Sequence, residues 1–317
     1  MPIGLTNTSS PNLELVKTAL DKLLNDAIMQ NVEYGKATAS DPVIFNQQAS
    51  TKAAEVASVL GGGGYAKKTI TGTAQDVTAS KSTVKNAPAP QTTIIAEFKQ
   101  DLDISRSFMA DDQHNAVAMS VQQRGIAWKA SIDRNAFSFY ANGTGTTVST
   151  TIDGVALFSN LHVNANGDTV DNLETGALSD STLNTSVVSL RNQLNQDGVK
   201  VGYEPAFLLT SNAQHKDAMT IAKSVLKSGG AQNDLNYYSE MYPGMKVLFN
   251  QFIDDTSTTM YVVGAQQHGV IRYLREGLNS TLVDWKYNDN DLYKYKFRSR
   301  EEISTLVYNG LVGSTGA

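Results

Sequence analysis

Residues 154–172 read GVALFSNLHVNANGDTVDN, residues 178–198 read LSDSTLNTSVVSLRNQLNQDG, and residues 204–211 read EPAFLLTS. In the second stretch, apolar residues recur at helical spacing, at Leu183, Val187, Leu190 and Leu194. This spacing predicts a helix that ends in a tight turn at Asp197-Gly198. Ala206–Thr210 follows Pro205 as a buried strand. The region after residue 150 therefore has an α/β pattern.

The same pattern continues towards the C-terminus. Ser211 or Asn212 is placed to cap a second helix, whose apolar residues are Ala218, Ile221, Ala222 and Val225. Five further strands are predicted, at Met245–Phe252, Thr259–Val263, Val270–Leu274, Leu292–Arg298 and Ile303–Tyr308.

Upstream lies the strongest periodic signal of the chain. Its apolar stripe is formed by Val117, Val121, Gly125, Trp128, Ile132, Ala136 and Phe139. The stripe predicts one helix over residues 112–140, roughly 40 Å long at 1.5 Å per residue. Asp111 and Asp112 suit its positive end, and Asn142-Gly143 suits its C-terminal end. A helix of this length beside a sheet predicts a scaffold spine.

The N-terminal third has a weaker pattern. Residues 12–34 predict a helix, with Asn12 available as its cap, and Ser50–Leu60 predicts a second short helix. Gly61–Gly64 then interrupt any regular secondary structure, and Thr92–Lys99 predicts a strand. Few large apolar residues occur in residues 61–100, so this part predicts a long two-stranded loop that lies on another surface; a flexible surface insertion is the alternative. We expect residues 1–102 to be covered by sister copies.

Bulk composition limits the function. The chain has 317 residues, no cysteine and a net charge of −5. Disulfides and thiolate metal sites are excluded, and a surface that wraps nucleic-acid backbones is not expected. Charged residues are only 18%, against roughly 25% in typical domains, which favours extensive protein–protein contact or reflects lineage bias. The N-terminus predicts no secretory signal, and no apolar run is long enough to span a membrane.

No catalytic constellation is evident. Phosphate-loop, dinucleotide, nucleophile-elbow and zinc-helix motifs are missing. The four histidines, at His114, His162, His215 and His268, lack ligand spacing, so we interpret them as surface or hydrogen-bonding residues. Asn164, Asn166, Asp168 and Asp171 surround Gly167 and could hold a calcium ion, but such clusters are routine in turns, and a turn is the interpretation we favour. Asp289 and Asp291 are interpreted in the same way, as a solvated turn. Asp254-Asp255 and Glu301-Glu302 are poor acid/base candidates, because adjacent residues on a strand point to opposite faces. We expect no enzyme, no metal and no cofactor.

An aromatic cluster stands out in the C-terminal half, at Tyr237, Tyr238 and Tyr242 beside Met241. Such side chains can stack on bases or pack a neighbouring subunit. No basic cluster accompanies them, so subunit packing is the prediction.

The three stretches quoted first resemble the major capsid proteins of tailed bacteriophages, and most of all the Mu-type major head subunits. The resemblance rests on Leu157-Phe158-Ser159, His162 with Asn164, Asn172, Leu183, Arg191, Asp197-Gly198 and Pro205. Val163 departs from the pattern, because many relatives have proline there. The motifs cover about 55 residues, and the order of predicted segments extends the resemblance to the whole chain.

The resemblance implies an α+β fold of the Hong-Kong-97 type. Its parts would be a N-terminal arm, an extended β-hairpin loop (E-loop), a peripheral domain with the spine helix, an axial α/β domain and strands that return to the peripheral domain. In this chain they would occupy residues 1–60, 61–102, 103–180, 181–280 and 281–317.

The resemblance also implies a function. Many copies would assemble into hexamers and pentamers of an icosahedral shell that encloses phage double-stranded DNA. Inter-subunit residues would be Gly61, Gly62, Gly63 and Gly64 as a hinge, Lys67 and Lys68 in the loop, and Tyr237, Tyr238, Met241 and Tyr242. Lys81 and Lys85 share the loop, but nothing marks a catalytic Glu or an acceptor Asn, so we expect no covalent cross-link.

Partners would be the chain itself, neighbouring capsomers, and scaffolding, portal and decoration proteins. Packaged DNA would be close but bound without specificity, and no membrane is involved. The location would be the virion capsid, assembled in the host bacterial cytoplasm. Two alternatives stay open: an encapsulin-like nanocompartment shell, and a soluble enzyme with a non-standard site.

Overall fold

The structure is a computed structural model. It describes residues 10–29, 35–49, 54–57, 91–112, 115–145, 151, 153–164, 167–195, 198–226, 235–253, 261–284, 286, 291–305 and 307–315. The helices are α1 (Ser10–Met29), α2 (Arg106–Asp111), α3 (Ala116–Ala141), α4 (Asp180–Asn192), α5 (His215–Lys223) and α6 (Tyr237–Met241).

The strands fall into two main sheets and two short hairpins. They are β1 (Asn46–Ala49), β2 (Ala54–Ala57), β3 (Gln91–Ile94), β4 (Ala96–Ser105), β5 (His162–Val163), β6 (Thr169–Val170), β7 (Leu173–Glu174), β8 (Pro205–Thr210), β9 (Lys246–Phe249), β10 (Tyr261–Ala265), β11 (Val270–Val283), β12 (Leu292–Thr305) and β13 (Leu311–Ser314).

The first sheet has the order β1-β11-β12-β4. Its three long strands are antiparallel, and Tyr295 of β12 lies opposite Leu102 of β4. Apolar and charged residues alternate along β12, so one face of the sheet is apolar and the other is charged. The apolar face packs against α1 and α3 and forms a core that includes Leu102, Ile104, Leu282, Tyr293, Tyr295 and Phe297.

The second sheet has the order β7-β13-β10-β8-β9. Strand β10 is buried along its whole length and runs antiparallel to both β8 and β13. Helices α4, α5 and α6 pack around this sheet over a core that includes Leu183, Leu190, Leu208, Ala218, Tyr238 and Val263. The chain therefore has an α+β architecture, in which β12 belongs to the first sheet and β13 to the second.

The predicted spine helix is confirmed as α3. Its 26 residues span about 39 Å, and it begins four residues later than predicted. The Asp112 carboxylate caps it, because the backbone N–H groups of Ala116 and Val117 donate to its two oxygens at 2.9 and 3.0 Å. Asn142 ends the helix, as predicted.

The expectation that sister copies must cover the N-terminal region is wrong for the part that the structure describes. Val16, Leu20 and Leu24 of α1 are buried against the chain's own sheet and α3. Helix α1 approaches α3 closely at Gly125, where an added Cβ would lie 3.0 Å from Leu24. Ile44 and Phe45 are also buried in the main core. These few apolar residues suffice to bury this part of the chain, because α3 and the sheets supply the other side of the contact.

Two predicted helices differ in the structure. The second short helix, at Ser50–Leu60, is wrong where residues are described, because Ala54–Ala57 form strand β2, paired with β3. Helix α4 ends at Asn192, before Asp197-Gly198, because Leu194 leaves the helix to bridge Lys200.

Helix α5 and the C-terminal strands also differ from the predictions. Helix α5 is preceded by Gln214, and not capped by Ser211 or Asn212, and Val225 lies beyond its end at Lys223. The strand predicted at Ile303–Tyr308 is wrong, because β12 continues unbroken to Thr305. The last strand is β13, whose residues pair with β10.

Candidate functional site

Four of the motif residues, Leu157, Ser159, His162 and Asn172, meet at one buried polar junction. The Leu157 carbonyl accepts from Nδ2 of Asn172 at 2.8 Å and lies 3.1 Å from Nε2 of His162. The Ser159 backbone N–H donates to Oδ1 of Asn172 at 2.8 Å. Asn172 and His162 are fully buried. The buried amide and ring therefore satisfy backbone groups of Leu157 and Ser159, which precede the short β5–β6 hairpin.

Asp153 holds the other side of the His162 ring. Nδ1 of His162 lies 2.8 Å from the Asp153 carboxylate, which also accepts from the Thr151 hydroxyl. The ring stacks on Tyr308, with centroids 4.2 Å apart. Burial would raise the pKa of the Asp153 carboxyl, but the hydrogen bonds from His162 and Thr151 and the charge of His162 hold that pKa below its usual value.

The junction extends to the returning end of the chain. Gln193, just after α4, donates through Nε2 to the Leu311 carbonyl and accepts from the Gly310 N–H, both at 2.8 Å. Nδ2 of Asn309 donates to the Leu194 carbonyl at 2.6 Å. These bonds fix β13 against α4 and the motif loop, so the junction positions the second sheet.

A second buried network holds residues 37–45 against α3, β11 and β12. Oδ1 of Asp133 on α3 accepts from the Ala39 N–H at 2.8 Å. Arg272 of β11 donates to Glu301 of β12 and to the Ser40 hydroxyl. Burial raises the pKa values of both Asp133 and Glu301, although Arg272 opposes this for each. This network is structural, because Asp133, Arg272 and Glu301 are buried and bond to neighbouring elements, although Nε of Arg272 has no hydrogen-bond partner among the described residues.

The four residues of the predicted aromatic site differ in burial. Tyr238 and Tyr242 are buried in the second core, so their assignment to an inter-subunit surface is wrong. The Tyr238 hydroxyl donates to the Asp180 carbonyl at 2.9 Å, and Arg191 lies over the Tyr242 ring. Tyr237 and Met241 are about half exposed. Tyr237 and Met241 are four residues apart on α6, so they share one face of this helix, and that face is turned outward.

Three further apolar residues accompany them, and sequence reasoning missed these. Val225 and Leu235 are 71% and 69% exposed, and Leu226 bridges Leu235 through the backbone. We name Val225, Leu226, Leu235, Tyr237 and Met241 the apolar tip. The spacing of Val225 had suggested a buried helix position, but α5 ends before it.

The other predicted sites have simple outcomes. Gly61, Gly62, Gly63, Gly64, Lys67, Lys68, Lys81 and Lys85 lie outside the described residues, as do His114, Asn166, Asp254, Asp255 and Asp289. Asn164 and Asp168 bond each other across their turn, at 2.8 and 3.0 Å. His268 contacts the Val43 carbonyl at 3.1 Å and accepts from the Val270 N–H. Within the described ranges, no group of acidic or histidine side chains could hold a metal ion.

Two remaining expectations concern paired acids and membranes. Glu301 engages Arg272, whereas Glu302 accepts from Asn135 at 3.3 Å, so the adjacent acids have separate partners. Among the helices that the structure describes, none combines the length and apolar character needed to cross a bilayer.

Comparison with known proteins decides the family. Residues 88–303 match the family described as phage capsid protein, which is well over half of the chain. The chain belongs to this family. The phage capsid match includes β4, the spine helix, the junction loop and most of β12. Among curated proteins, no sequence matches this capsid chain.

Solved structures show the fold of this capsid protein. A chain from the capsid of cyanophage P-SCSP1u has a TM-score of 0.56 at 10% identity, with 89% of each chain covered. A chain from Microbacterium phage Oxtober96 has a TM-score of 0.53 at 12% identity, with 89% of this chain and 92% of that chain covered. A virus-like particle from Pyrococcus furiosus has a TM-score of 0.55 at 9% identity, with 94% and 98% covered. The Hong-Kong-97-type fold of a phage major capsid protein is thereby confirmed.

Proposed function

We propose that this capsid protein is the major head subunit, which self-assembles into hexamers and pentamers of an icosahedral shell around phage double-stranded DNA. The role is structural and needs no catalysis. The observation that carries the proposal is the apolar tip, because its five large apolar side chains are exposed on two segments, residues 225–226 and 235–241, that the Leu226–Leu235 bridge joins. Such a patch on a soluble chain marks a contact surface.

The tip suits a ring of identical subunits. Each exposed apolar Å² removed from water contributes about 25 cal/mol, so several large side chains together favour association. The contact would be heterologous, since one tip packs on a different surface of the next copy, and such contacts close into rings. Rings of six and five then cover a closed shell.

The division of labour follows the proposed parts of the fold. Residues 1–60 would be the arm, 61–102 the extended loop, 103–180 the peripheral domain, 181–280 the axial domain and 281–317 the return. The long α3 and the first sheet support a rigid peripheral part, and the apolar tip supports an axial part at the ring centre. The junction at His162 and Asn172 would hold the two together.

The remaining roles concern DNA, partners and place. A chain of net charge −5 would not grip phosphate backbones, so packaged DNA would slide past it. Scaffolding, portal and decoration proteins would be transient or peripheral partners. Assembly would take place in the host bacterial cytoplasm, and the product would be the virion capsid.

A second candidate is an encapsulin-like nanocompartment shell. It is favoured by the likeness to the Pyrococcus furiosus virus-like particle, which extends over 98% of that chain. The two functions differ in contents, because a phage head encloses DNA and a nanocompartment encloses protein cargo. Nuclease-protected DNA in particles purified from infected cells would support the first, and a co-purifying cargo enzyme would support the second.

Assembly itself is tested with purified chain. We expect uniform shells by electron microscopy for the wild type, and only small oligomers for the double variant Leu235→Asp/Met241→Asp. The matched control is Val188→Asp, because Val188 on α4 is also about half exposed but lies outside the tip. A compact wild-type monomer under all assembly conditions, or normal shells from the double variant, would contradict the proposal.

A further inference from the structure

Residues 35–49 cross from one main sheet to the other. At one end, the Ala37 N–H donates to the Phe249 carbonyl at 2.8 Å, and the Phe249 N–H donates to the Gly35 carbonyl at 3.0 Å. These bonds make Lys36 a parallel neighbour of β9 in the second sheet. At the other end, β1 pairs in parallel with β11 of the first sheet. We name residues 35–49 the strap, because this one segment lies at the edge of both sheets.

Buried side chains hold the strap between its two ends. The Tyr140 hydroxyl on α3 donates to the Ile44 carbonyl at 2.7 Å, and Nδ2 of Asn250 donates to the Ala37 carbonyl at 2.9 Å. Tyr140 and Asn250 are fully buried. The second buried network and His268 hold the residues between these points. The anchors therefore follow one another along the strap, and the loss of one removes support from its neighbours.

The chain also passes directly between the two sheets at two places, from β10 to β11 and from β12 to β13. These two crossings lie side by side. The Ala265 N–H donates to the Gly310 carbonyl at 2.8 Å, and Gly269 lies so close to the Val307 carbonyl that no Cβ would fit between them. Two adjacent crossings define a line about which the second sheet can rotate, but they do not fix the angle of that rotation.

The strap reaches the second sheet away from these crossings. It contacts β9, and β8 separates β9 from β10. At about 4.8 Å between neighbouring strands, this contact lies roughly 10 Å from β10. A hydrogen-bonded tie at that distance resists rotation about the crossings. The two sheets also share an apolar core, which includes Leu209 and Ile303, but apolar contacts are non-directional and resist sliding less.

We propose that the strap couples the two sheets: it opens as one unit, and its opening lets the second sheet rotate relative to the first. In the closed form, which the structure shows, hydrogen bonds are made at both ends of the strap. This coupling belongs to the single subunit and so goes beyond shell assembly. In the proposed shell, it would set the position of the apolar tip relative to α3, because the tip adjoins the helices that pack around the second sheet.

Hydrogen exchange of unassembled subunits tests whether the strap opens as one unit. The variant Tyr140→Phe removes the bond to the Ile44 carbonyl but keeps the ring, so the subunit should still fold. We expect the amides of Ala37 and Phe249 in the second sheet, and those of β1 in the first, to exchange faster by the same factor. This factor should be roughly three- to tenfold, as the loss of one hydrogen bond predicts. Faster exchange at β1 alone would contradict opening as one unit.

The matched control is Tyr238→Phe, which removes the same kind of bond, from a buried tyrosine hydroxyl to the Asp180 carbonyl. Tyr238 belongs to the core around α4, α5 and α6, whereas Ile44 and Phe45 of the strap belong to the core between the sheets. In this variant, exchange in the strap should stay within about twofold of the wild type, since distant sites act independently. Equal acceleration in both variants would rule out a separate strap unit, because it would show general loosening of the subunit.

Thiol labelling tests whether the sheets move when the strap opens. The chain has no cysteine, so a single introduced thiol reports alone. Val262 and Val263 are adjacent on β10 and fully buried, but Val262 lies in the core between the sheets and Val263 in the core around α4, α5 and α6. Tyr140→Phe should speed labelling of the Val262→Cys variant roughly three- to tenfold and leave that of Val263→Cys nearly unchanged, since labelling of a buried thiol follows local opening.

Two results would overturn the coupling of the sheets. One is faster exchange in the strap without faster labelling of Val262→Cys, and the other is equal acceleration of labelling at Val262→Cys and Val263→Cys. Shell formation by the wild-type chain is scored separately by electron microscopy. A subunit that passes the exchange and labelling tests but never assembles would refute the proposed shell alone.

Discussion

The ring of Phe158 lies over Gly313 of β13, so close that a Cβ added at residue 313 would come within 2.6 Å of it. The same ring also contacts Gly143, just after α3. Phe158 thus joins the end of the spine helix to the returning strand. Its place in the Leu157-Phe158-Ser159 motif has a physical reason: the ring fills the space beside Gly143 and Gly313, where no larger residue than glycine fits.

The variant Gly313→Ala should therefore destabilise the subunit. Overpacking of a closed site costs about 1–3 kcal/mol, and the unfolding midpoint in urea should fall accordingly. Gly277→Ala is the control, because an added Cβ there meets nothing within 4 Å. In the double variant with Phe158→Leu the loss should be partly non-additive. Additive effects would show that the two residues are not in contact.

Helix α1 is expected to depend on one carboxylate. Oδ1 of Asp21 accepts from the Tyr295 hydroxyl at 2.6 Å and from the Ser280 hydroxyl. The variant Asp21→Ala leaves the Tyr295 hydroxyl buried without this acceptor and should cost about 1.5–3 kcal/mol. Asp26→Ala on the same helix is the control, because Asp26 is exposed. Limited proteolysis should release α1 faster from the first variant; equal rates for both would disprove the anchor.

The junction gives a pH dependence of known sign. The pKa of Asp153 is lower in the folded chain than its usual 3.8, so its contribution is fully present above that pH and is lost as the pH falls through the folded value. At pH 7, Asp153→Asn should lower the free energy of unfolding by about 1.5–3 kcal/mol, the range for a charge-assisted hydrogen bond. Urea titrations below pH 3.8 should show a smaller difference in the free energy of unfolding between the wild type and Asp153→Asn. A gap that stays constant or widens in acid would exclude the Asp153–His162 pair as its cause.

The elements that sequence could predict are those with a strong local signal. The stripe from Val117 to Phe139 and the caps at Asp112 and Asn142 fixed α3 to within a few residues. The docking of α1 could not be predicted, because Leu102, Leu282 and Tyr295 receive it from three strands far apart in the chain. The polar junction could be predicted only as a family motif. No rule of sequence spacing predicts that His162 stacks on Tyr308. The apolar tip was missed because it depends on where α5 ends.

The aromatic cluster tests whether a buried and an exposed tyrosine, adjacent in sequence, serve folding and assembly respectively. Tyr237 and Tyr238 are neighbours in sequence, but Tyr238 is buried and Tyr237 is about half exposed. Tyr238→Ala should remove a buried ring and its bond to the Asp180 carbonyl, lowering the free energy of unfolding by about 3–5 kcal/mol. Tyr237→Ala should leave the urea midpoint nearly unchanged and instead reduce the fraction of chain that sediments as shells. Calorimetry and sedimentation on the two variants separate folding from assembly. If Tyr237→Ala unfolds the subunit, or if it assembles as the wild type does, the residue does not belong to a contact surface between copies.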